Sequence, residues 1–240
     1  MDKSSYWIGG KHAVEAAVNN PNRKIHEIIV LDKNSNFNKI ETKFQKSKNK
    51  IKIKNEKFFN KIFPLNFKHQ GIAARIDLLN KIDLKTYLEN ISNNNLLLLD
   101  GVTDPRNIGS ILRNCVAFNI STIILHEQNL NLKSPSMHIA SSGAIEHINI
   151  IVVKNISSTI RLLKDYGFWI IGFDGDCETK ISKNLFNQKN VLIFGDEGSG
   201  MRELTKKSCD QIVSIPIDKK IESLNVSSAV AVVLTILKLV

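Results

Sequence analysis

Two short segments of this 240-residue chain combine glycine with polar and charged residues in a way that suits chemistry on a bound ligand. The first spans 100–114, DGVTDPRNIGSILRN, and holds Asn107 and Arg113 six positions apart. Less than two helical turns separate these side chains, so they could face a common cleft, and an asparagine at a helix start also caps free amide groups. The second spans 195–202, GDEGSGMR, where three glycines allow close backbone approach to a ligand and Glu197 stands among them.

A third segment, 214–228 (SIPIDKKIESLNVSS), places Ser223 and Asn225 directly before a strongly apolar stretch. Taken singly, each of the three segments also fits an ordinary helix cap or a tight turn. The glycine spacing is not GxGxxG and no GK[ST] follows, so the common dinucleotide and P-loop phosphate sites are excluded. A ligand site of another design remains.

Each of these segments follows or contains the end of an apolar run that reads as a strand. Over residues 95–240 such strands alternate with helical patterns, which predicts a parallel sheet covered on both faces. Ligands bind beyond the carboxyl ends of the strands in such sheets. The predicted strands are 96–99, 121–125, 148–153, 168–173, 191–194 and 211–215, and the predicted helices are 108–118, 134–141, 156–166, one from about 201, and 227–239.

Residues 1–76 are rich in lysine and asparagine and predict a smaller α/β domain, with residues 77–94 as a linker. The predicted strands are 25–31, 51–53 and 72–76, and the predicted helices are 12–18, 37–48 and 56–62. The net charge of +10 and the pI near 9.5 favour a phosphate-rich partner, although a solvated basic surface would look the same. The candidate phosphate-binding residues are Lys39, Lys43, Lys46, Lys48, Lys50, Lys52 and Lys54.

Three distant cysteines without a CxxC pair predict reduced, buried thiols and neither a disulfide framework nor a zinc site. No apolar stretch approaches the roughly 20 residues of a membrane helix. The sequence therefore predicts a cytoplasmic protein with no membrane partner and no metal.

The order, placement and wording of the three segments resemble the signature motifs of the SpoU/TrmH branch of the SPOUT methyltransferases. Residues 141–148 (SSGAIEHI) resemble the segment between the first two motifs, whereas 10–14 (GKHAV) and 69–73 (HQGIA) resemble the small RNA-binding domain related to ribosomal protein L30e. The resemblance implies an α/β chain: an L30e-like domain at 1–76 and a SPOUT domain with a trefoil knot at 95–240.

The resemblance also implies the reaction, which is methyl transfer from S-adenosylmethionine to a ribose 2′-hydroxyl of RNA, with a guanosine of 23S ribosomal RNA as the target. Arg113 would activate the hydroxyl or hold the adjacent phosphate. The residues that would orient Arg113, the ribose and the cofactor are Asn107, Glu197, Ser223 and Asn225. The residues that would line the cofactor pocket are Gly195, Ile215 and Leu224. Family members are homodimers, and the apolar stretch 227–239 must lie in the core, at an interface, or both.

Two alternatives remain open at this stage. One is a transfer RNA 2′-O-methyltransferase of the same family, and the other is a non-catalytic RNA-binding or ribosome-assembly protein on the same fold. The sequence departs from the family between Pro216 and Ser223, where a glycine is common and Asp218-Lys219-Lys220 stands instead. This departure concerns the local backbone path and none of the polar motif residues.

Overall fold

The structure is a computed structural model that describes residues 5–32, 44, 49–91, 95–128 and 130–239. By contacts the chain divides into two compact units. The first comprises 1–80 together with 131–146, and the second comprises 81–130 and 147–240. Residues 131–146, which the sequence analysis assigns to the C-terminal domain, therefore group with the N-terminal unit.

The first unit contains a four-stranded sheet in the order β1-β4-β2-β3, in which only the β2–β3 pair is parallel. Its central strands are rich in isoleucine, valine and alanine, which suit a buried pleated surface. The strands are β1 (Tyr6–Gly9), β2 (Ile25–Leu31), β3 (Ile51–Lys54) and β4 (Ile72–Ile76). Strand β1 was not predicted; the others agree with prediction to within about two residues.

The helices of this unit are α1 (Lys11–Asn19), α2 (Glu56–Ile62) and α5 (Pro135–Ser141), followed by a 3-10 turn at Ala144–Glu146. Helix α1 buries one alanine- and valine-rich face against the sheet. The predicted helix 37–48 lies outside the described residues except for Phe44, as do the candidate lysines Lys39, Lys43, Lys46 and Lys48.

The second unit contains a six-stranded, wholly parallel sheet in the order β10-β8-β9-β5-β6-β7. This confirms the predicted α/β class with a parallel sheet. The strands are β5 (Leu96–Asp100), β6 (Thr122–His126), β7 (Asn149–Val153), β8 (Trp169–Phe173), β9 (Asn190–Gly195) and β10 (Gln211–Val213). The helices are α3 (Leu84–Glu89), α4 (Pro105–Ala117), α6 (Ile156–Asp165), α7 (Glu203–Ser208) and α8 (Val226–Lys238), with a 3-10 turn at Lys183–Leu185.

Both faces of this sheet are covered, as continuous apolar strands require. Leu96 and Leu98 of β5 belong to the core that includes residues of α3 and α6. Side chains alternate along a strand, so Leu97 and Leu99 point to the opposite face. Helices α4 and α8 pack against each other, and α8 buries Val226, Val230, Val233 and Leu234. The apolar character of α8 is thus partly explained by core burial.

The three cysteines are free thiols, but only Cys115 is fully buried, whereas Cys177 and Cys209 are half-buried. Burial raises the pKa of the Cys115 thiol to about 12 and that of Cys209 to about 11. Both thiols therefore stay protonated at neutral pH and make poor nucleophiles.

Candidate active site

Asn107, Glu197 and Asn225 meet at the carboxyl edge of the parallel sheet. Asn225 Nδ2 donates to Asn107 Oδ1 at 3.0 Å and to Glu197 Oε2 at 3.1 Å. Asn107 Nδ2 donates a longer bond to the same Glu197 oxygen, at 3.4 Å. Residues 90 and 28 positions from Glu197 along the chain therefore converge on one of its carboxylate oxygens.

Asn107 reaches this cluster from the first turn of α4. The sequence predicted a helix starting near Asn107 with that residue as a cap, and this is wrong. Asp104 is the N-cap, its side chain accepts from the backbone N–H of Arg106, and Pro105 occupies the first turn. Proline is preferred there because its missing N–H has no partner in a helix anyway. The amide of Asn107 is consequently available for Glu197 and Asn225.

Asn225 both caps helix α8 and takes part in the cluster. It is the N-cap of α8, and its Oδ1 accepts from Ser227 N at 3.0 Å and from Ser227 Oγ at 2.6 Å. Its Nδ2 faces the other way, toward Glu197 and Asn107. Asn114 Nδ2 donates to Ser227 O at 2.9 Å, which joins the last turn of α4 to the first turn of α8.

Glu197 lies on a tight loop between β9 and α7. Asp196 and Gly200 close the loop through two backbone hydrogen bonds, at 2.9 and 3.1 Å. Gly195 is required here, because a Cβ at this position would stand 2.1 Å from the carbonyl carbon of Gly200. Glu197 is exposed at the loop tip, and among the described residues its Oε1 has no hydrogen-bond partner.

The structure reveals a pair that sequence reasoning missed. The Asp100 carboxylate, fully buried at the end of β5, accepts from Arg202 Nε at 2.7 Å and from the Arg202 backbone N at 3.0 Å. The signal in the sequence is a carboxylate that ends a run of four leucines, together with an arginine just after the glycine-rich loop. A buried acid needs such a partner.

The remaining candidates are not members of this hydrogen-bonded cluster. Arg113 is an exposed residue of α4, about 9 Å along the helix axis from Asn107. Ser223 is exposed and makes no hydrogen bond to the three clustered residues. Gly195 ends β9, Ile215 follows β10 by two positions, and Leu224 directly precedes the N-cap of α8; the last two are half-buried.

The segment that departs from the family pattern forms its turn without glycine. Asp218 Oδ1 accepts from the Lys220 backbone N at 2.9 Å, and Asp218 O accepts from Ile221 N at 3.2 Å. No residue between Pro216 and Ser223 has a positive φ. The aspartate side chain therefore closes the turn that a glycine would otherwise permit.

Within the described parts of the chain, no group of three or more histidine, cysteine, aspartate and glutamate side chains is arranged to hold a metal ion. In the same ranges, no helix combines the length and apolar character that crossing a bilayer demands.

Two substitutions at Asn225 separate its capping role from its role in the cluster. Asn225→Ala removes both, and we expect a loss of about 1 kcal/mol in stability from the missing cap together with at least ~10-fold lower turnover. Asn225→Asp keeps an acceptor for Ser227, so we expect the helix cap and its contribution to stability to remain. It also sets a carboxylate oxygen against Glu197, so we expect turnover to fall as much as in Asn225→Ala. Thermal unfolding measures the first effect, and the rate of the methyl transfer that the motif resemblance implies measures the second. Wild-type turnover in Asn225→Asp would remove this residue from the site.

Two family models match the chain. The SpoU rRNA Methylase family model matches residues 94–235, and the model for RNA 2′-O ribose methyltransferase substrate binding matches residues 7–81. Together they span both units.

Curated relatives and solved structures agree with these matches. The chain is 36% identical over 236 residues to the 23S rRNA (guanosine-2′-O-)-methyltransferase RlmB of Haemophilus ducreyi, covering 96% of each. It is 34% identical to the enzyme of that name from Neisseria meningitidis serogroup B, covering 95% of this chain and 92% of that one. The SpoU methyltransferase AviRb from Streptomyces viridochromogenes, solved with AdoMet, shares the fold at a TM-score of 0.79 and 18% identity, covering 97% of this chain and 89% of that one.

These matches extend over nearly the whole length of the chain, and the clustered residues occupy the three segments that resemble the family's motifs. The chain belongs to the SpoU rRNA methylase family.

Proposed function

We propose that this chain transfers a methyl group from S-adenosylmethionine to the 2′-hydroxyl of a guanosine in 23S ribosomal RNA. The observation that carries the proposal is the convergence of Asn107, Glu197 and Asn225 at the carboxyl edge of the sheet. Relatives at 34–36% identity whose names state that reaction support the choice of target. The charge of +10 suits an RNA substrate. We propose the cytoplasm as the location, which suits three free thiols.

The residues beside this cluster fit S-adenosylmethionine. Gly195 ends β9 and Ile215 follows β10 by two positions, and in the sheet β8 lies between those two strands. Two strand spacings are about 10 Å, which suits an extended nucleoside, and the half-buried Ile215 and Leu224 supply apolar surface for an adenine ring. When bound, the cofactor supplies an electrophilic methyl group on a sulfonium.

The course of the C-terminal segment supports the trefoil knot as part of this proposal. Strand β10 lies at the outer edge of the sheet, beyond β8. Helix α8 nevertheless returns to pack on α4, which follows the inner strand β5. The chain after β10 therefore runs back across the edge where the cluster lies, as a threaded C-terminus requires.

Each clustered side chain has a role in this mechanism. Glu197 Oε2 is held by the amides of Asn107 and Asn225, which leaves Oε1 to accept a hydrogen bond from a ribose hydroxyl. Ser223, exposed two positions before Asn225, offers a further hydroxyl for orientation. A 2′-hydroxyl is a weak nucleophile until it loses its proton, and a guanidinium stays protonated in proteins. Arg113 therefore holds the adjacent phosphate and stabilises the developing alkoxide, and the proton of the hydroxyl leaves to that phosphate or to water.

The first unit would bind and position the RNA as an L30e-like domain. We propose 1–76 as that domain, 77–94 as the linker and 95–240 as the SPOUT domain. Lys52 is well exposed and pairs with Glu27 at 3.0 Å, and Lys54 lies over the Phe58 ring. Lys50 donates to Ile25 O at 2.9 Å, so part of its hydrogen-bonding capacity serves the sheet.

A homodimer is the assembly that we propose. Val232 of helix α8 is 37% exposed and the C-cap, Leu239, is 70% exposed, although the other face of the helix is core. A second copy of the chain would cover this apolar surface and complete the cleft around Arg113. Sedimentation velocity at micromolar concentration tests the assembly, since a monomer there contradicts it.

The experiment that tests the function incubates the purified protein with radiolabelled S-adenosylmethionine and RNA from a strain that lacks its gene. We expect label on one ribose of 23S ribosomal RNA, mapped by the resistance of 2′-O-methylated linkages to alkali. Label on transfer RNA instead would replace the substrate and keep the chemistry. Measurable cofactor binding without label on naked RNA or on ribosomal precursors would favour a non-catalytic RNA-binding protein.

A further inference from the structure

Asp100 holds both ends of the loop that carries Glu197. Its backbone pairs with Gly195, where the loop leaves β9. Its side chain, 0% exposed, accepts from the backbone N and Nε of Arg202, where the loop returns. Between these ends the chain is closed on itself by the Asp196–Gly200 bridge.

A buried carboxylate is an unusual way to end this strand. The four preceding residues of β5 are leucines with 0–2% exposure, and an apolar fifth residue would bury more apolar surface without a desolvation cost. Within the described part of the chain, the Asp100 side chain nevertheless forms hydrogen bonds only with Arg202, whose own side chain is 52% exposed. Bulk packing therefore does not account for an acid here.

Loop position matters because, among the described residues, the Glu197 carboxylate accepts only from two side-chain amides, at 3.1 and 3.4 Å. These two amide donors share one oxygen of an exposed carboxylate. They hold it less firmly than an ion pair whose acid is fully buried and accepts from both a guanidinium and a backbone N–H. The strongest contact that fixes the loop is thus the pair between Asp100 and Arg202. A displacement of about 1 Å in a positioning group can cost ~100-fold in rate.

We infer that Asp100, acting through Arg202, is a positioning residue that sets where Glu197 meets the ribose. The inference rests on the proposed function and adds a residue to its machinery. Asp100 does not touch the RNA or the cofactor. It affects methyl transfer by fixing the position of the loop from Gly195 to Arg202, which carries the Glu197 carboxylate.

The chain contains a matched control for this pair. Asp210 also accepts from a backbone N–H and a basic side chain, namely Ile170 N at 2.8 Å and Lys164 Nζ at 2.6 Å. Ile170 is at the amino-terminal end of β8, so this pair stands at the sheet edge away from the cluster. Asp210→Asn removes the same charge from the same kind of contact.

The test is a double-mutant cycle between Asp100→Asn and Glu197→Ala, measured as single-turnover methyl transfer with saturating cofactor. In Asp100→Asn, the amide NH2 replaces one of the two oxygens that accept from Arg202, so a donor faces a donor and one hydrogen bond is lost. We expect Asp100→Asn alone to lower the rate ~10- to 100-fold with the S-adenosylmethionine affinity unchanged. In the Glu197→Ala background the same change should cost less than ~2-fold further. Asp210→Asn should leave the rate within ~2-fold in both backgrounds.

Arg202→Ala serves as the second variant. It removes the Nε contact with Asp100 but keeps the backbone hydrogen bond. We expect its loss of rate to be non-additive with Glu197→Ala, as for Asp100→Asn. Additive losses with Glu197→Ala, or a rate unchanged by Asp100→Asn and Arg202→Ala, would overturn the inference. Absence of methyl transfer by the wild-type protein in the same assay would instead overturn the proposed function.

Discussion

Arg113→Ala is expected to lower methyl transfer by about 10²- to 10³-fold, the range seen when one donor to a developing oxyanion is removed. Arg113 is exposed on α4, roughly 9 Å along the helix axis from the amide of Asn107. Arg113 is not among the residues that we propose for the cofactor pocket, which are Gly195, Ile215 and Leu224. We therefore expect the affinity for S-adenosylmethionine, measured by calorimetry, to stay within about 2-fold of the wild-type value.

Two further variants sharpen this prediction. Arg113→Lys keeps the charge but loses the planar fork that binds phosphate through two bonds, so its rate should lie between those of the wild type and Arg113→Ala. Arg106→Ala is the matched control: this side chain is 78% exposed on the same helix and pairs with Asp104 at 3.1 Å. Near-normal turnover in Arg113→Ala, or an equal loss in Arg106→Ala, would contradict the assignment.

Local sequence patterns predicted most of the second unit, since its strands are continuous apolar runs. Leu96–Asp100 and Asn190–Gly195 are buried on both faces of the sheet, and short apolar runs between turn residues report that environment directly. The predicted start of α4 was wrong, although the sequence contained the pattern that marks the true start. Asp104 followed by Pro105 is a cap and a first-turn proline, and it should have outweighed the asparagine three positions later.

Long-range pairing escaped the sequence analysis. Strand β1, Tyr6–Gly9, is short and exists because it pairs with β4 some 70 residues later. Helix α5 was predicted at nearly its true bounds, but its place in the first unit depends on partners such as Tyr6, whose hydroxyl lies 3.2 Å from His138 Nε2. Periodicity identifies an element and its apolar face, and it carries no information about which distant element covers that face.

In the candidate site too, local patterns identified some residues, whereas residues that depend on long-range contacts were missed. The motif resemblance named Asn107, Glu197 and Asn225, and their convergence agrees with the rule that ligand sites form beyond the carboxyl ends of parallel strands. Asp100 and Arg202 lie in the first two motif segments, but the sequence predicted no role for either. A buried acid can be recognised only once its burial is known. Burial at a strand end is a property of the fold.

Glu146→Ala is expected to destabilise the first unit by about 3–5 kcal/mol, the cost of leaving one partner of a buried ion pair without the other. Arg23 and Glu146 have side chains 2% and 0% exposed and form two hydrogen bonds, at 2.8 and 3.0 Å. Asn20 Nδ2 donates to the same carboxylate, at 2.8 Å. Burial lowers the pKa of the neighbouring His138 to about 3, so this histidine is neutral at pH 7 and adds no second charge beside Arg23.

The chain has two tryptophans, Trp7 in the first unit and Trp169 in the second, so Trp169→Phe leaves fluorescence that reports the first unit alone. In that background, the urea midpoint of Glu146→Ala should fall by roughly 1.5–2.5 M, for a slope near 2 kcal/mol per molar. Lys24→Ala is the control, because its pair with Asp77 is 3.6 Å long and Lys24 is 67% exposed; such surface pairs contribute about 0–1 kcal/mol. If the Trp7 transition of Glu146→Ala coincides with that of Lys24→Ala, residues 131–146 do not depend on this ion pair for their place in the first unit.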